Sequence, residues 1–312
     1  MKRLFQQNEK NAAKIIATDP SLRRRQMKKL KLKYINQESK FIEIERGDSS
    51  CRLHYRDEGS GPVLLLLHGM CASLHTWDAW AEELKQHYRV IRFDIPGFGF
   101  SSPIVNDGYD PVIGVEIMEE FVKKMEIPHF FLAGNSIGGF ISWKYALKYP
   151  EKVDKLILID AVGHNQDLPW VVSFASHPLI RPFARRFMPR FFFDMAASQV
   201  FGDPAKLTDQ IKDRYFELST SDDNRKSYVA FFTVMRKLCH AKELPEGMEG
   251  IQSPLLVMWG TKDRWVPIKY FHLWKKSFPH GEFKVYEGVG HTPMEEIPTQ
   301  TAADARAFLM AA

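Results

Sequence analysis

Gly134-Asn135-Ser136-Ile137-Gly138-Gly139 follows the apolar run Phe130 to Ala133 and opens a stretch of helical spacing from Phe140 to Leu147. A serine with glycines two before and two after it, set between a strand and a helix, is placed as a nucleophile on a sharp turn. Side chains at the flanking positions would strike neighbouring backbone, so glycine stands there. The helix start offers free N–H groups and a partial positive charge, both suited to an oxyanion. A glycine-lined turn with a capping serine is the plain structural alternative.

A serine hydroxyl attacks only when a base takes its proton. Of eleven histidines, His291 stands on a loop, Gly288-Val289-Gly290-His291, directly after the alternating run Phe283 to Glu287 and before the last helical stretch. The others fall in helical stretches, in an insertion or on surface loops, where a hydrogen-bonded or solvated histidine is the ordinary reading. An acid between serine and histidine in chain order would hold the imidazole tautomer. Asp263, on the loop Gly260-Thr261-Lys262-Asp263 after the apolar run Leu255 to Trp259, is the first candidate, and Asp160 at the end of an earlier run is the second. A surface aspartate paired with Lys262 or Arg264 is the competing reading of Asp263. Oxyanion donors are expected from the backbone N–H groups of Ile137 and of Met70, the latter after His68-Gly69. His68 itself ends a strand beside a glycine, which favours a structural role.

These residues need a frame that brings strand ends together. Solid apolar runs at Val63 to Leu67, Val90 to Phe93, Phe130 to Ala133, Leu156 to Ile159 and Leu255 to Trp259 are the pattern of strands covered on both faces. Helical spacing at Val115 to Met125 and Phe140 to Leu147 lies between them, so the spacing predicts an α/β fold with a mainly parallel central sheet flanked by helices. Phe41 to Glu45 and Cys51 to Arg56 alternate as two half-exposed strands ahead of the turn Gly59-Ser60-Gly61-Pro62. Between Gly163 and Gly250 the rhythm breaks into a segment rich in Phe, Arg, Met and Pro. We expect a helical cap over 163–250, inserted after the sixth strand, with the core formed by 41–162 and 251–312. A final strand at Phe283 to Tyr286 and a helix from about Thr299 to Met310 complete it.

The chain has 312 residues, 45% hydrophobic and 26% charged, enough for a substantial buried core. Its net charge of +5 conceals an asymmetry: residues 1–33 carry eleven Lys or Arg against Glu9 and Asp19, so this segment is +9 and the remainder about −4 by subtraction. The basic segment, 1–40, is read as an arm. A solvated or packed basic segment is the first expectation for it, and peripheral contact with anionic lipid is the functional alternative. Nucleic acid is not expected as a partner, since the rest is acidic and holds no such motif. Three widely spaced cysteines, Cys51, Cys71 and Cys239, support neither a disulfide framework nor a metal site. A cytoplasmic setting, membrane-associated if the arm binds lipid, is expected, since no apolar run of about 18 residues or signal-peptide core is found.

Five blocks in order, LLLLHGM, FDIPGFGFSS, GNSIGG, WGTKDRWVP and GVGHTPMEE, resemble the α/β-hydrolase superfamily, including its serine carboxylesterase and lipase-like members, from about Phe41 to the end. The resemblance implies that Asp94, Gly97 and Gly99 form a structural turn; as a dinucleotide loop they lack the third glycine. It also implies a catalytic triad of Ser136, Asp263 and His291, no cofactor and no metal. Serine at position 136 argues against dehalogenases and epoxide hydrolases, which carry aspartate there. The element Gly-Asn-Ser is shared with carbon–carbon bond hydrolases of aromatic ring degradation, which act on diketone-type substrates. Those enzymes usually show tryptophan after the catalytic histidine and a small glycine-rich oxyanion segment, whereas Thr292 and Met70-Cys71 stand here. Hydrolysis of a small apolar carboxylic ester is therefore the first expectation and carbon–carbon hydrolysis the second; a catalytically silent binding protein is the third. The segment Asp19 to Phe41, containing KYINQESKF, resembles a bacterial subgroup that often begins with a membrane anchor, which the sequence as written does not hold.

Overall fold

The computed structural model describes residues 20–105, 111–219, 221–241 and 247–311. Eight strands form one sheet: β1 (Ser39–Arg46), β2 (Ser49–Glu58), β3 (Val63–Leu67), β4 (Arg89–Phe93), β5 (Phe130–Asn135), β6 (Val153–Ile159), β7 (Leu255–Gly260) and β8 (Glu282–Tyr286). Their spatial order is β1-β2-β4-β3-β5-β6-β7-β8. β1 and β2 form an antiparallel hairpin that also meets β4 antiparallel, and every other pairing is parallel. The hairpin extends beyond the alternating cores read from sequence because its ladder runs without a break from Ser39 opposite Arg56 to Arg46 opposite Ser49.

The apolar runs behave as strands buried on both faces. In β3, Leu65 and Leu67 join one core cluster while Leu64 and Leu66 join the other; Leu156 and Leu158 of β6 are divided in the same way from Ile157 and Ile159. This follows from the two-residue repeat of a strand. The helices α1 (Pro20–Tyr34), α2 (Asp78–Leu84), α3 (Pro111–Lys124) and α4 (Ile137–Lys148) precede the break in the rhythm; α5 (Trp170–Ser176), α6 (Arg181–Ala184), α7 (Arg190–Val200), α8 (Asp209–Ser219) and α9 (Asp222–Ala241) fall within it. The chain ends with α10 (Lys269–Ser277), α11 (Pro293–Glu296) and α12 (Pro298–Met310). One face of the sheet is covered by α3, α4 and α10 through Phe121, Trp143 and Trp274. The other is covered by α2 and α12 through Trp80, Ala81, Ala305 and Phe308.

Between β6 and β7 the described residues are helical or irregular and contain no strand. This cap is bound to the core at several places. Phe98 stacks on Tyr228 of α9 at 4.7 Å between ring centroids, and Asn224 Nδ2 donates to the Gly99 carbonyl at 2.8 Å. Arg214 of α8 pairs with Glu295 of α11, and Tyr215 donates to the same carboxylate at 2.6 Å. Phe192, Phe193, Phe231 and Phe232 are buried as cap core, whereas Trp170, Phe174, Phe183 and Phe191 are exposed. The first part of the arm, residues 1–19, lies outside the described residues. Its continuation α1 packs through Leu30 against Phe100 and Leu218, and Lys33 and Tyr34 both bond Glu217 of α8.

Candidate active site

Parallel β5, β7 and β8 end at one edge of the sheet, and the residues following them are Ser136, Asp263 and His291. Ser136 stands between β5 and α4 with φ +56° and ψ −116°, a strained conformation for a residue with a side chain. The strain is held by close packing around it. A Cβ on Gly134 would lie 2.4 Å from the Gly138 carbonyl oxygen, and one on Gly138 would lie 2.4 Å from that of Leu67. Ser136 N–H donates to the Ile159 carbonyl at 3.0 Å, and its own carbonyl accepts from Val162 N–H at 3.1 Å. Both flanking peptides are thereby tied to the end of β6.

Asp263 and His291 meet directly: Nδ1 of His291 lies 2.7 Å from Oδ2 of Asp263, and both side chains are buried. A carboxylate accepts, so Nδ1 carries the proton and Nε2 is left as the acceptor. The other carboxylate oxygen accepts from Trp265 N–H at 2.7 Å and from Val266 N–H at 2.9 Å, which fixes the plane of the acid. The Trp265 ring stacks on the imidazole at 5.8 Å. Asn135 Nδ2 donates to the His291 carbonyl at 3.0 Å and so joins the serine turn to the histidine loop.

The loop after β3 is pressed against the serine turn, since a Cβ on Gly69 would lie 2.7 Å from Asn135 Oδ1 and 3.2 Å from Ser136 Cβ. Met70 is half-buried there, and Cys71 takes φ +58°. Ile137 opens α4, where an N–H has no partner four residues back. His68 points away from this chemistry: its Nε2 accepts from Ile95 N–H at 2.9 Å and its Nδ1 lies 2.7 Å from the Gly69 carbonyl. Burial lowers its pKa, so it remains a neutral strut. Asp94 accepts from Leu74 and Phe100 N–H groups and bonds His54. Burial pushes its carboxyl up, but the surrounding histidines, His54 first and then His68 and His75, together hold it below the usual range. A Cβ on Gly99 would sit 2.1 Å from its carboxylate, in keeping with a structural turn.

Three neighbours of the site were not legible as such. Asp160, expected only as a substitute acid, lies beside Asp263: one oxygen of each carboxyl and one nitrogen of His291 fall within 4.8 Å of one another. Among the described residues this is the group whose donor atoms converge enough to suggest a cation. Nδ1 of His291 and both oxygens of Asp263 already have hydrogen-bond partners, which is the arrangement of a proton relay and leaves a single free oxygen on Asp160. Glu296 accepts from the N–H groups of Gly202, Asp203 and Gly290, clamping the cap to the histidine loop. In addition, His291 N–H donates to the Val200 carbonyl of α7 at 2.6 Å. The acidic pair Glu295-Glu296 after His291 was the available signal for these contacts, but nothing local indicated its partners.

A strained serine at a strand–helix turn, with an acid–histidine pair from the ends of two later strands, occurs within an eight-stranded, mainly parallel sheet. Residues 62–201 match the family model described as alpha/beta hydrolase fold. The chain has the α/β-hydrolase fold. It is 29% identical over 267 residues to a 2-hydroxy-6-oxononadienedioate/2-hydroxy-6-oxononatrienedioate hydrolase of Paraburkholderia phymatum, covering 81% of this chain and 89% of that protein. Among solved structures, the chain is similar to a membrane phospholipase A described as a bacterial virulence factor. That likeness has a TM-score of 0.71 and 25% identity over 99% of this chain and 98% of the other. A meta-cleavage product hydrolase of Pseudomonas fluorescens shares the fold at a TM-score of 0.76 and 22% identity, over 88% and 98% of the two chains.

Proposed function

We propose that this α/β-hydrolase cleaves small apolar carboxylic esters through an acyl-enzyme on Ser136. The observation that carries the reading is the 2.7 Å bond between Asp263 and His291, which leaves Nε2 as a proton acceptor in a site whose serine turn is tied to the histidine loop. Ser136 Oγ forms a bond to the ester carbonyl carbon while His291 Nε2 takes its proton. The N–H groups of Ile137 and Met70 receive the charge that develops on the carbonyl oxygen. The C–O bond to the alcohol then breaks, and His291 gives the proton to the departing oxygen. Water repeats the sequence in reverse order, its proton passing to His291 and then to Ser136 Oγ, and the acid leaves. Asp263 stabilises the imidazolium without taking the proton.

Carbon–carbon hydrolysis of a diketone-type substrate is the second reading, favoured by the activity named for the Paraburkholderia phymatum relative. The ester reading is supported by the phospholipase A likeness, which extends over 99% of this chain, and by Met70-Cys71 in place of small residues after Gly69. A panel of p-nitrophenyl esters of graded acyl length, run beside a fluorophosphonate probe, separates the two. Ester turnover with labelling at Ser136 is expected. Labelling without ester turnover transfers the assignment to carbon–carbon cleavage, and the absence of both rejects a serine hydrolase.

A further inference from the structure

Asp160 follows β6 directly, is fully buried, and takes φ +46°, a backbone setting that aspartate tolerates better than most residues. Its N–H donates to the Met258 carbonyl at 3.0 Å, and its Oδ1 accepts from Gly260 N–H at 3.1 Å. These bonds anchor it on β7, three residues before Asp263. Its Oδ2 is buried and receives no N–H or O–H donor from the described residues. That oxygen belongs to a carboxyl lying within 4.8 Å of both Asp263 and the His291 ring. Two carboxyls sharing a dry site do not both ionise. Asp263 receives three N–H groups, from Trp265, Val266 and His291, whereas Asp160 receives one, so the negative charge is better held on Asp263.

We propose that Asp160 is a positioning residue, a neutral carboxylic acid whose Oδ2–H donates to the Asp263 carboxylate and holds it in line with His291. This accounts for the buried oxygen that otherwise lacks a partner. Burial first, and the charge of Asp263 second, push the Asp160 carboxyl well above the usual carboxylate range. The other ionisable groups facing it are His291, Glu296 of α11 and Tyr286 at the end of β8. The bond also divides the charge of Asp263 between two donors, which tempers its hold on the imidazolium.

The proposal rests on the reading that Asp263 and His291 serve Ser136, so the test includes a measurement that needs no substrate. Asparagine at 160 preserves both an acceptor for Gly260 N–H and a donor toward Asp263. Asp160→Asn should therefore keep kcat/KM on p-nitrophenyl butyrate within about threefold of wild type, with the same acid limb. Asp160→Ala removes the donor, and kcat should fall about tenfold or more with KM little changed. Proton NMR of the His291 ring, followed through pH, should show its titration moved upward by about half a unit or more in Asp160→Ala and unmoved in Asp160→Asn, because the undivided charge of Asp263 favours the imidazolium. Thermal melts verify that both variants are folded. An asparagine variant as damaged as the alanine one would overturn the proposal by showing that charge at position 160 matters. Unchanged kcat and His291 titration in Asp160→Ala, with a lowered Tm alone, would leave Asp160 a structural residue. Should wild type neither label nor turn over any ester, the functional reading falls, while the NMR titration still decides the role of Asp160.

Discussion

In the proposed mechanism the imidazole of His291 accepts the serine proton in only one tautomer, and the residue that selects it is Asp263. In Asp263→Asn the amide oxygen can keep the bonds from Trp265 and Val266, which turns the amide nitrogen toward His291. That nitrogen donates, so the ring proton moves to Nε2, the atom that in the proposed mechanism receives the proton of Ser136. We expect kcat to fall about 10⁴-fold. Ser136→Ala and His291→Ala should each cost about as much as removing the whole set, since these residues act as a unit, with Tm close to wild type. Turnover of Asp263→Asn within about tenfold of wild type would transfer the role of acid to Asp160. Activity should rise from acid to neutral pH, because only the neutral imidazole accepts a proton. A profile flat across pH 5 to 9 would contradict the mechanism.

The serine turn depends on how closely β3, β5 and α4 approach. Gly138, the second residue of α4, lies directly over the end of β3, where a Cβ would be 2.4 Å and 2.5 Å from the carbonyl oxygens of Leu67 and His68. Both are backbone atoms in a buried strand end, so neither can swing aside. Gly138→Ala is expected to displace α4 from the sheet, lowering stability by about 1 to 3 kcal/mol and misplacing the N–H of Ile137. Urea melts and kcat measured together check this. Unchanged activity and stability would mean that the strand–helix approach is looser than its contacts indicate.

Across the whole molecule, the cap carries a surface that the core does not explain. Trp170, Phe174, Leu179, Phe183 and Phe191 are exposed within 22 residues, the span 170–191. From 168 to 193 the chain holds four arginines and no acidic residue. Aromatic and apolar side chains interleaved with arginine suit an anionic lipid surface, as do the exposed cations of α1 such as Arg24, Arg25, Lys28 and Lys29. No helix among the described residues is long and apolar enough to cross a membrane. The expected outcome is co-sedimentation with phosphatidylserine vesicles that weakens as salt shortens the Debye length. Phe183→Glu combined with Arg185→Glu tests the cap, and a version starting at Tyr34 tests the arm. Equal pelleting of all versions, or equal binding to neutral vesicles, would reject lipid contact through either surface.

The sequence by itself determined the elements whose signals are local. A solid apolar run reports burial on both faces, so β3 to β7 were legible, and the paired glycines marked Ser136 because only a strained turn needs them. His291 was legible from its place after the alternating run that became β8. Tertiary structure decided the rest, because partners far apart in the chain leave no mark on each other's surroundings. Asp160 and Asp263 looked like alternatives, yet β6 pairs with β7 in parallel, with Ile159 opposite Met258, and this register sets the two acids side by side. The richness in Phe between Gly163 and Gly250 did not tell which aromatic faces would be covered; contacts such as Phe98 on Tyr228 made that choice. Glu296 likewise acquires its role from three backbone N–H groups, two of them supplied by a cap segment more than ninety residues earlier.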